Sequence, residues 1–317
     1  MKTITPHLWF DTQAREAAEF YVSLLPGSRI KNVTTLSDTP SGDCDVVTFE
    51  LAGQPFIAIS AGPLFKFNPS VSFQIKCSSQ EEVDSLWDQL SPGGKVLIPL
   101  GSYSFSPRYA WVEDKYGLSW QVMHVGANPS AQRITPALLF TGDVHGKAEE
   151  AINFYVSVFN GAPDRASAGN TKADVLARYG PGEEPDREGT VRYAQFSLRG
   201  QEFAAMDSAR GHKFTFNEAI CLLVACDTQE EIDYLWGKLS ADPKSEQCGW
   251  LKDKYGLSWQ IAPAILSELL SGGDKKRIQR TTQAFLKMKK LDIAALKQAA
   301  AGKDATSEMV PSGSPIG

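Results

Sequence analysis

The sequence of 317 residues is poor in the features that mark a metal centre, a disulfide framework or a membrane anchor. It has five cysteines without any CxxC spacing and four histidines. The number of cysteines is odd, and two of them lie within apolar strand-like runs. This pattern is typical of reduced core thiols in a cytoplasmic protein, so we expect neither disulfides nor a zinc site. No apolar run approaches the roughly 20 residues that cross a bilayer, and the strand-like N-terminus predicts no signal peptide.

Motifs for nucleotide binding and for serine hydrolases are also missing. A methyltransferase would need a glycine-rich loop after a first parallel strand, whereas SPGGKV (91–96) and YGPGEEP (179–185) are typical of connecting turns. The chain has no G-x-S-x-G motif. Its formal net charge of −5 argues against nucleic acid or an anionic membrane as a partner. We therefore expect a folded cytoplasmic protein that is neither a methyltransferase nor a serine hydrolase.

The most informative feature is an internal repeat. The octapeptide DKYGLSWQ occurs at 114–121 and again at 253–260, and other segments recur in the same order, such as ITPHLWF with ITPALLF and QEEVDSLW with QEEIDYLW. Ordered self-similarity over this length indicates a duplicated domain. The predicted divisions are module 1 over 1–125, module 2 over 133–263, a helical tail over 264–301 and a disordered tail over 302–317.

The hydrophobic pattern of each module predicts two βαβββ units, and therefore four in the chain. Apolar residues alternate in ITPHLWF, and they recur at helical spacing in QAREAAEFYVSLL before a Pro-Gly stop. Three short strands follow, and the same order begins again at SVSFQIKC. In the tail, Asp292 is expected to cap the helix IAALKQAAA. Together these elements predict an α+β fold.

The βαβββ repeat, the Phe-Tyr pair in the first helix and the D-x-x-G turn before the last strand resemble the vicinal oxygen chelate superfamily, which includes glyoxalases, extradiol dioxygenases and bleomycin-resistance proteins. ITPHLWFD, FKFNPS, QCGWLKDKYGLSWQI and MKKLDIAAL are similar to its PhnB-like branch, often described as 3-demethylubiquinone methyltransferases. This resemblance implies tandem modules, each of two βαβββ units forming a curved mixed sheet with helices outside. It also implies that the modules pair through their sheets as a pseudo-dimer, which leaves further oligomerisation open.

The resemblance also implies where a metal ion would bind, namely on the concave face, with ligands from the first, fifth and eighth strands. Alternation along those strands gives the sets His7, Ser72 and Gln121 in module 1, and Ala137, Cys221 and Gln260 in module 2. Divalent catalytic sites favour several imidazole or carboxylate ligands, which neither set provides. We therefore expect no metal and no other cofactor. A metal-dependent lyase, isomerase or dioxygenase is the alternative.

Aromatic and amide side chains near the strand ends predict a cleft for a small organic ligand. The candidate ligand-binding residues are His7, Trp9, Phe67, Asn68, Ser72, Trp111, Gln121, Phe216, Asn217, Cys221, Trp250 and Gln260. His7 and Gln121 are expected to orient the ligand, and Trp9, Phe67 and Trp111 to enclose it. For the two asparagines, capping the turn into the next strand is the preferred interpretation.

The tail carries many lysines and arginines, which leaves a third hypothesis, a non-catalytic structural or regulatory module that acts through an anionic partner. In a chain of net negative charge, we expect these residues to form the solvated side of a helix packed over the modules. Whether the protein is an enzyme is left open by the sequence.

Overall fold

The computed structural model describes residues 4–127, 132–163 and 171–302. Residues 303–317 of the tail that was predicted to be disordered lie outside the described residues. The elements are, in order, β1 (Ile4–Phe10), α1 (Ala14–Leu24), β2 (Arg29–Thr39), β3 (Gly42–Leu51), β4 (Gln54–Ser60), β5 (Val71–Cys77), α2 (Gln80–Leu90), β6 (Lys95–Tyr103), β7 (Ser106–Glu113), β8 (Ser119–His124), β9 (Ile134–Phe140), α3 (Ala148–Asn160), β10 (Lys172–Arg178), β11 (Val191–Leu198), β12 (Gln201–Asp207), β13 (Ile220–Cys226), α4 (Gln229–Leu239), β14 (Trp250–Lys252), β15 (Ser258–Pro263), α5 (Leu266–Leu269), α6 (Lys275–Phe285) and α7 (Ile293–Ala301).

The strands form two mixed sheets. The first has the order β14-β15-β13-β1-β4-β3-β2, and the second has the order β10-β11-β12-β9-β5-β8-β7-β6. Antiparallel pairing of β1 with β13 and of β5 with β9 joins the two modules inside each sheet. The first sheet thus combines the first and fourth units, and the second sheet combines the second and third.

The predicted α+β fold of duplicated modules with C-terminal helices is confirmed, with one difference in the fourth unit. Within the described residues this unit contributes only β14 and β15 after α4, where the sequence predicted three strands. The connection before β14, residues 240–249, is shorter than the corresponding residues 91–105, which leaves less chain for a strand. The proposed module boundaries stay a prediction, because strands of both modules share each sheet.

Alternation along the strands places one side of each sheet in a common core with the helices. On β1, β5 and β8 the predicted helix-facing residues are buried in this core: Ile4, Leu8, Phe10, Val71, Phe73, Ile75, Leu118, Trp120 and Val122. Burial of such side chains stabilises the fold by about 1.5–3 kcal/mol each. The opposite sides of the two sheets remain for other contacts, and they contain eight of the twelve candidate residues.

The repeated octapeptide has a structural role. The Oδ2 atom of Asp114 accepts hydrogen bonds of 2.8 Å from Tyr21 Oη and from Trp120 Nε1, and its Oδ1 atom accepts from the backbone nitrogens of Tyr116 and Leu118. This carboxylate therefore joins α1, the D-x-x-G turn and β8. Asp253 makes the same four contacts in module 2. The octapeptide recurs because each module uses it to fix the last strand to the first helix.

The three C-terminal helices pack over the first sheet. The backbone nitrogens of Cys248 and Gly249 donate to the carbonyls of Met288 (2.8 Å) and Lys289 (2.7 Å). The fit is close, since a Cβ atom at Gly249 would lie 3.1 Å from Leu291 Cδ1. The predicted cap of α7 is also confirmed, because the Asp292 side chain accepts from the backbone nitrogen at the third residue of the helix. The described part of the chain contains no helix long and apolar enough to span a membrane.

Candidate functional site

The exchange of units between sheets regroups the candidate residues. His7 lies beside Cys221 across β1 and β13, and Gln260 follows on β15. Ser72 lies beside Ala137 across β5 and β9, and Gln121 on β8 contacts Ser72. The predicted sets, which joined His7 to Ser72 and Gln121, were therefore wrong, because alternation gives the face of a residue and not the strand next to it. We call the side of the first sheet with His7 the first face, and the side of the second sheet with Gln121 the second face.

His7 is the titratable group at the centre of the first face. Its Nδ1 atom lies 2.9 Å from Gln260 Oε1, which can only accept, so Nδ1 carries the proton. Its Nε2 atom is buried and has no hydrogen-bond partner among the described residues. Burial lowers the pKa of His7 from 6.5 to about 4, although the bond to Gln260 acts in the opposite direction. His7 is therefore neutral near pH 7.

Two tryptophans complete the first face. Trp250 donates from Nε1 to Cys221 Sγ at 3.0 Å, and its ring centroid lies 5.6 Å from that of His7. Trp9 donates from Nε1 to Gly62 O at 2.8 Å. Burial raises the pKa of the Cys221 thiol to about 12, so this cysteine is not an activated nucleophile.

The C-terminal helices cover the first face. Phe285, Leu291 and Leu296 are buried in one apolar cluster with Ile59 and Ala262 of the sheet. Further tail residues pack against this cluster, as do Trp9, Leu223 and Trp250 from the sheet. The cluster contains no residue of the second sheet among those that the structure describes. The tail thus fills the first face and leaves the second face uncovered by it.

The second face carries a connected set of amide, phenol and hydroxyl groups. Gln121 Oε1 accepts from Tyr109 Oη at 2.9 Å and from Gln74 Nε2 at 3.2 Å. Gln121 Nε2 donates to Ser72 Oγ at 2.8 Å. Tyr193 Oη donates to Gln74 Oε1 at 3.1 Å, which connects β11 to the centre of the sheet. These contacts fix the orientation of both amides.

The environment of this network keeps its phenols neutral. Burial raises the pKa of Tyr109 and of Tyr193, each of which also hydrogen-bonds to a glutamine. The inward residues of β11, β12, β9, β5, β8 and β7 include no histidine or cysteine. The second face is therefore suited to hydrogen bonding and poorly suited to proton transfer near pH 7.

Aromatic rings border the network at the hairpin between β6 and β7. Phe105 lies at the hairpin tip, is 61% exposed, and packs edge-on against Tyr109 with centroids 4.9 Å apart. Tyr103 stacks on Phe105 at 5.8 Å. Trp111, half-buried on β7, donates from Nε1 to Ser119 Oγ at 2.7 Å. An exposed phenylalanine over a buried polar network is typical of the entrance to a ligand site.

Four of the predicted ligand-binding residues lie on neither face. Phe67 packs edge-on against Phe10 (4.9 Å), and Phe216 packs edge-on against Phe140 (5.1 Å). Phe216 is buried in the core, and Phe67 is half-buried against it. Burial in the core contradicts the ligand contact predicted for Phe216, whereas the one predicted for Phe67 stays a prediction.

Asn68 and Asn217 connect the two loops that precede β5 and β13. Each side chain accepts from a backbone nitrogen two residues ahead, as the capping interpretation predicted, and also donates to a carbonyl of the opposite loop. The bonds are Asn68 Oδ1 to Ser70 N (2.8 Å), Asn68 Nδ2 to Thr215 O (3.0 Å), Asn217 Oδ1 to Ala219 N (3.0 Å) and Asn217 Nδ2 to Lys66 O (2.8 Å). With both atoms engaged, these side chains are structural.

Neither face has a donor set that fits a divalent metal ion. The first face offers one imidazole nitrogen, a thiol whose pKa is raised to about 12, and an amide oxygen already bonded to His7. At the equivalent positions, the second face offers Ser72, Ala137 and Gln121. Such sites require several imidazole, thiolate or carboxylate ligands. Among the described residues, no group of three His, Cys, Asp or Glu side chains is arranged to hold a metal ion.

A separate cavity of about 200 Å³ is lined by Ala52, Gly53, Gln54, Gln132 and Arg133. It contains none of the candidate residues, and it is smaller than the roughly 300–1,000 Å³ of ordinary ligand pockets. The second face therefore remains the stronger candidate.

Sequence reasoning missed Tyr193 and Gln195. Gln195 Nε2 donates to Tyr193 Oη at 3.2 Å, which extends the network to the edge of the sheet. The signal was present in the strand RYAQFSL, where alternation places Tyr193 and Gln195 on one face. It could not be used, because β11 belongs to module 2 and was not expected in the same sheet as β5.

Comparisons with known proteins agree with this fold. The family model described as 3-demethylubiquinone-9 3-methyltransferase matches residues 2–123 and again 132–262. A PhnB protein from Bacillus cereus is 36% identical over 39% of this chain and all of its own length, with a TM-score of 0.37. Glyoxalase I from Zea mays is 12% identical over 85% of this chain and 95% of its own, with a TM-score of 0.50, which shows a shared fold. No curated protein was found to match.

Proposed function

Since this chain belongs to the family described as 3-demethylubiquinone-9 3-methyltransferase, through both of its modules, we propose that it is a PhnB-like protein of the glyoxalase fold that binds a small organic ligand on its second face without a metal ion. The ligand lies against Trp111 and Tyr193 and is oriented by Gln121 and Gln74. The first face is not a ligand site, because the tail occupies it.

The observation that carries this proposal is the difference between two equivalent faces of one molecule. On the first face, side chains of the tail such as Leu291 bury the apolar surface of the sheet. On the second face, a polar network lies beneath half-buried rings and an exposed phenylalanine. A fixed polar network next to accessible aromatic surface is what a small-molecule site requires.

We propose that this chain does not catalyse methyl transfer, although its family is described as a methyltransferase. A bound nucleotide-type methyl donor needs backbone amides of a glycine-rich loop at a strand-to-helix turn. The connection from β1 to α1 is DTQ, which has no glycine, and β9 leads to α3 through TGDVHGK, whose glycines are not in that pattern. Calorimetry with S-adenosylmethionine should therefore detect no binding.

The role of the site is binding rather than acid–base catalysis. Burial keeps Tyr109 and Tyr193 protonated, and the amides of Gln74 and Gln121 do not titrate. Orientation of a ligand by such groups serves capture, transport or sensing. The cytoplasmic location proposed from the sequence agrees with five free and buried cysteines.

The test is native mass spectrometry of the purified full-length chain, followed by identification and rebinding of any molecule that co-purifies. We expect one molecule per chain, with affinity reduced by about tenfold in Gln121→Met and in Tyr109→Phe, since each removes a network hydrogen bond. Gln260→Met is the matched control on the first face and should bind normally. Loss of binding in Gln260→Met with retention in Gln121→Met would assign the ligand to the first face and overturn the proposal.

A further inference from the structure

The hydrogen-bond donors of the second face are not all used within the protein. Gln121 Oε1 accepts two hydrogen bonds, so both of its lone pairs are occupied. Its amide nitrogen carries two hydrogens and makes one hydrogen bond within the described residues, to Ser72. Gln74 Nε2 likewise makes one, to Gln121. Each buried amide therefore retains one N–H that has no acceptor among the described residues.

Unsatisfied donors of this kind favour a ligand that supplies an acceptor. Gln74 and Gln121 are each only 2% exposed, so bulk water does not freely reach their remaining N–H groups. A buried donor without an acceptor costs about 1–3 kcal/mol, which an acceptor atom would recover. Because the oxygen of Gln121 is fully engaged, this residue can recognise an acceptor and cannot recognise a donor.

The charges on the central strands of this face are balanced internally, while Lys172 and Asp174 lie on the same side of the edge strand β10. Lys76, on the inward side of β5, pairs with Glu202 of β12 at 2.6 Å. Glu113, on the inward side of β7, pairs with Lys95 at 3.5 Å. No other charged side chain lies on the inward side of β12, β9, β5, β8 or β7 in the described residues. A ligand with a net charge would thus be buried without a free counter-ion, which is costly.

From these observations we infer that the ligand of the second face is an uncharged aromatic or other planar molecule that carries a carbonyl-type acceptor. This inference rests on the proposed function. The acceptor binds the free N–H groups of Gln121 and Gln74, and the planar part contacts Trp111, Tyr193 and Phe105. A carboxylate of the same shape is excluded by charge, and a hydrocarbon of the same shape leaves both donors unsatisfied.

Three probes of nearly equal shape separate these classes: 2-acetylnaphthalene, 2-naphthoate and 2-ethylnaphthalene. Binding to the full-length chain is measured by calorimetry, and the contact face by NMR shifts of its side-chain amides. The ketone should bind about tenfold more tightly than either of the other two. In Gln121→Met the ketone should bind no better than the hydrocarbon. Gln74→Met provides the same test if the first variant does not fold, and Gln260→Met is the control.

The outcomes separate this inference from the proposed function. Tighter binding of 2-naphthoate, equal binding of all three probes, or a ketone preference that survives in both glutamine variants would overturn the inferred ligand class. Binding at the second face in any of these cases would leave the proposed function in place. If no probe binds and the co-purified ligand on the second face is charged or lacks a carbonyl-type acceptor, the inferred class is overturned alone. If that ligand occupies the first face, both are overturned.

Discussion

The Nδ1 atom of His7 and the Oε1 atom of Gln260 lie 2.9 Å apart, although 253 positions separate the two residues in the chain. This bond connects the first strand of module 1 to the last strand of module 2. It holds the imidazole in one tautomer and leaves Nε2 buried, with no hydrogen-bond partner among the described residues. The buried neutral imidazole gives the protein a specific dependence on pH.

Stability should fall between about pH 6.5 and pH 4 because of His7. Its pKa is lowered to about 4 in the folded protein, so the unfolded chain binds the proton first as the pH falls. The stabilisation is fully present above about pH 6.5 and is lost towards pH 4, in total about 3 kcal/mol. Urea unfolding of wild type and His7→Gln at about pH 7 and 4.5 measures this, and the acid loss should be about 2–3 kcal/mol smaller in the variant. An equal loss in both proteins would contradict the prediction.

Metal ions should not bind stoichiometrically. Purified protein exposed to Zn²⁺, Ni²⁺, Mn²⁺ or Fe²⁺ and then dialysed is expected to retain well under one ion per chain by elemental analysis. The reason is the donor set of each face, in which Gln121 and Gln260 stand where a carboxylate would be needed. A tight one-to-one complex that His7→Ala abolishes would show that the alternative, a metal-dependent enzyme, is correct.

Tyr21→Phe should destabilise the protein by about 1.5–3 kcal/mol, because it removes a buried hydrogen bond to the Asp114 carboxylate. Tyr155→Phe removes the matching bond to Asp253 and should have a similar effect. Tyr103→Phe, which loses a bond to the Pro99 carbonyl in an exposed setting, should change stability by less than about 0.5 kcal/mol. Urea unfolding compares the three variants, and equal effects would refute a special role of the repeated aspartate.

Leu291→Asp should detach the tail from the first face while the two sheets remain folded. Leu291 is fully buried, and a carboxylate there would cost about 3–5 kcal/mol, which exceeds what a few helical contacts supply. Limited proteolysis should then cut within 264–302, and tryptophan emission should shift to the red because Trp9 and Trp250 become exposed to solvent. Lys297→Asp, at an exposed site of α7, is the control. Cooperative unfolding of the whole chain in Leu291→Asp would show instead that the tail is part of one folding unit.

Much of the local structure followed from the sequence, because it depends on neighbours along the chain. The bounds of β1, the cap at Asp292 and the inward side of β1, β5 and β8 all depend on periodicity or on short-range hydrogen bonds. The structural interpretation of Asn68 and Asn217 was likewise available, since each caps its own turn.

The arrangement of strands could not be predicted in the same way. The four units have similar hydrophobic patterns, so β1 could pair with β5 or with β13 and keep the same alternation of buried and exposed residues. The pattern along each strand therefore does not decide which strand lies next to it. The grouping of His7 with Gln121 failed for this reason. The lost strand of the fourth unit and the bond from Asn68 to Thr215 depend on contacts between distant segments, which no local pattern contains.

Each sheet is assembled from one half of each module, and this has a consequence for how the protein could specialise. Two identical half-length chains joined in the same manner would form a two-fold dimer whose faces are equal by symmetry. Joining the halves in one polypeptide removes that constraint, so a residue can change on one face without changing on the other. Two such differences are present: module 1 has His7 where module 2 has Ala137, and a helical segment packs on one face alone. A symmetric dimer of identical subunits could not acquire them.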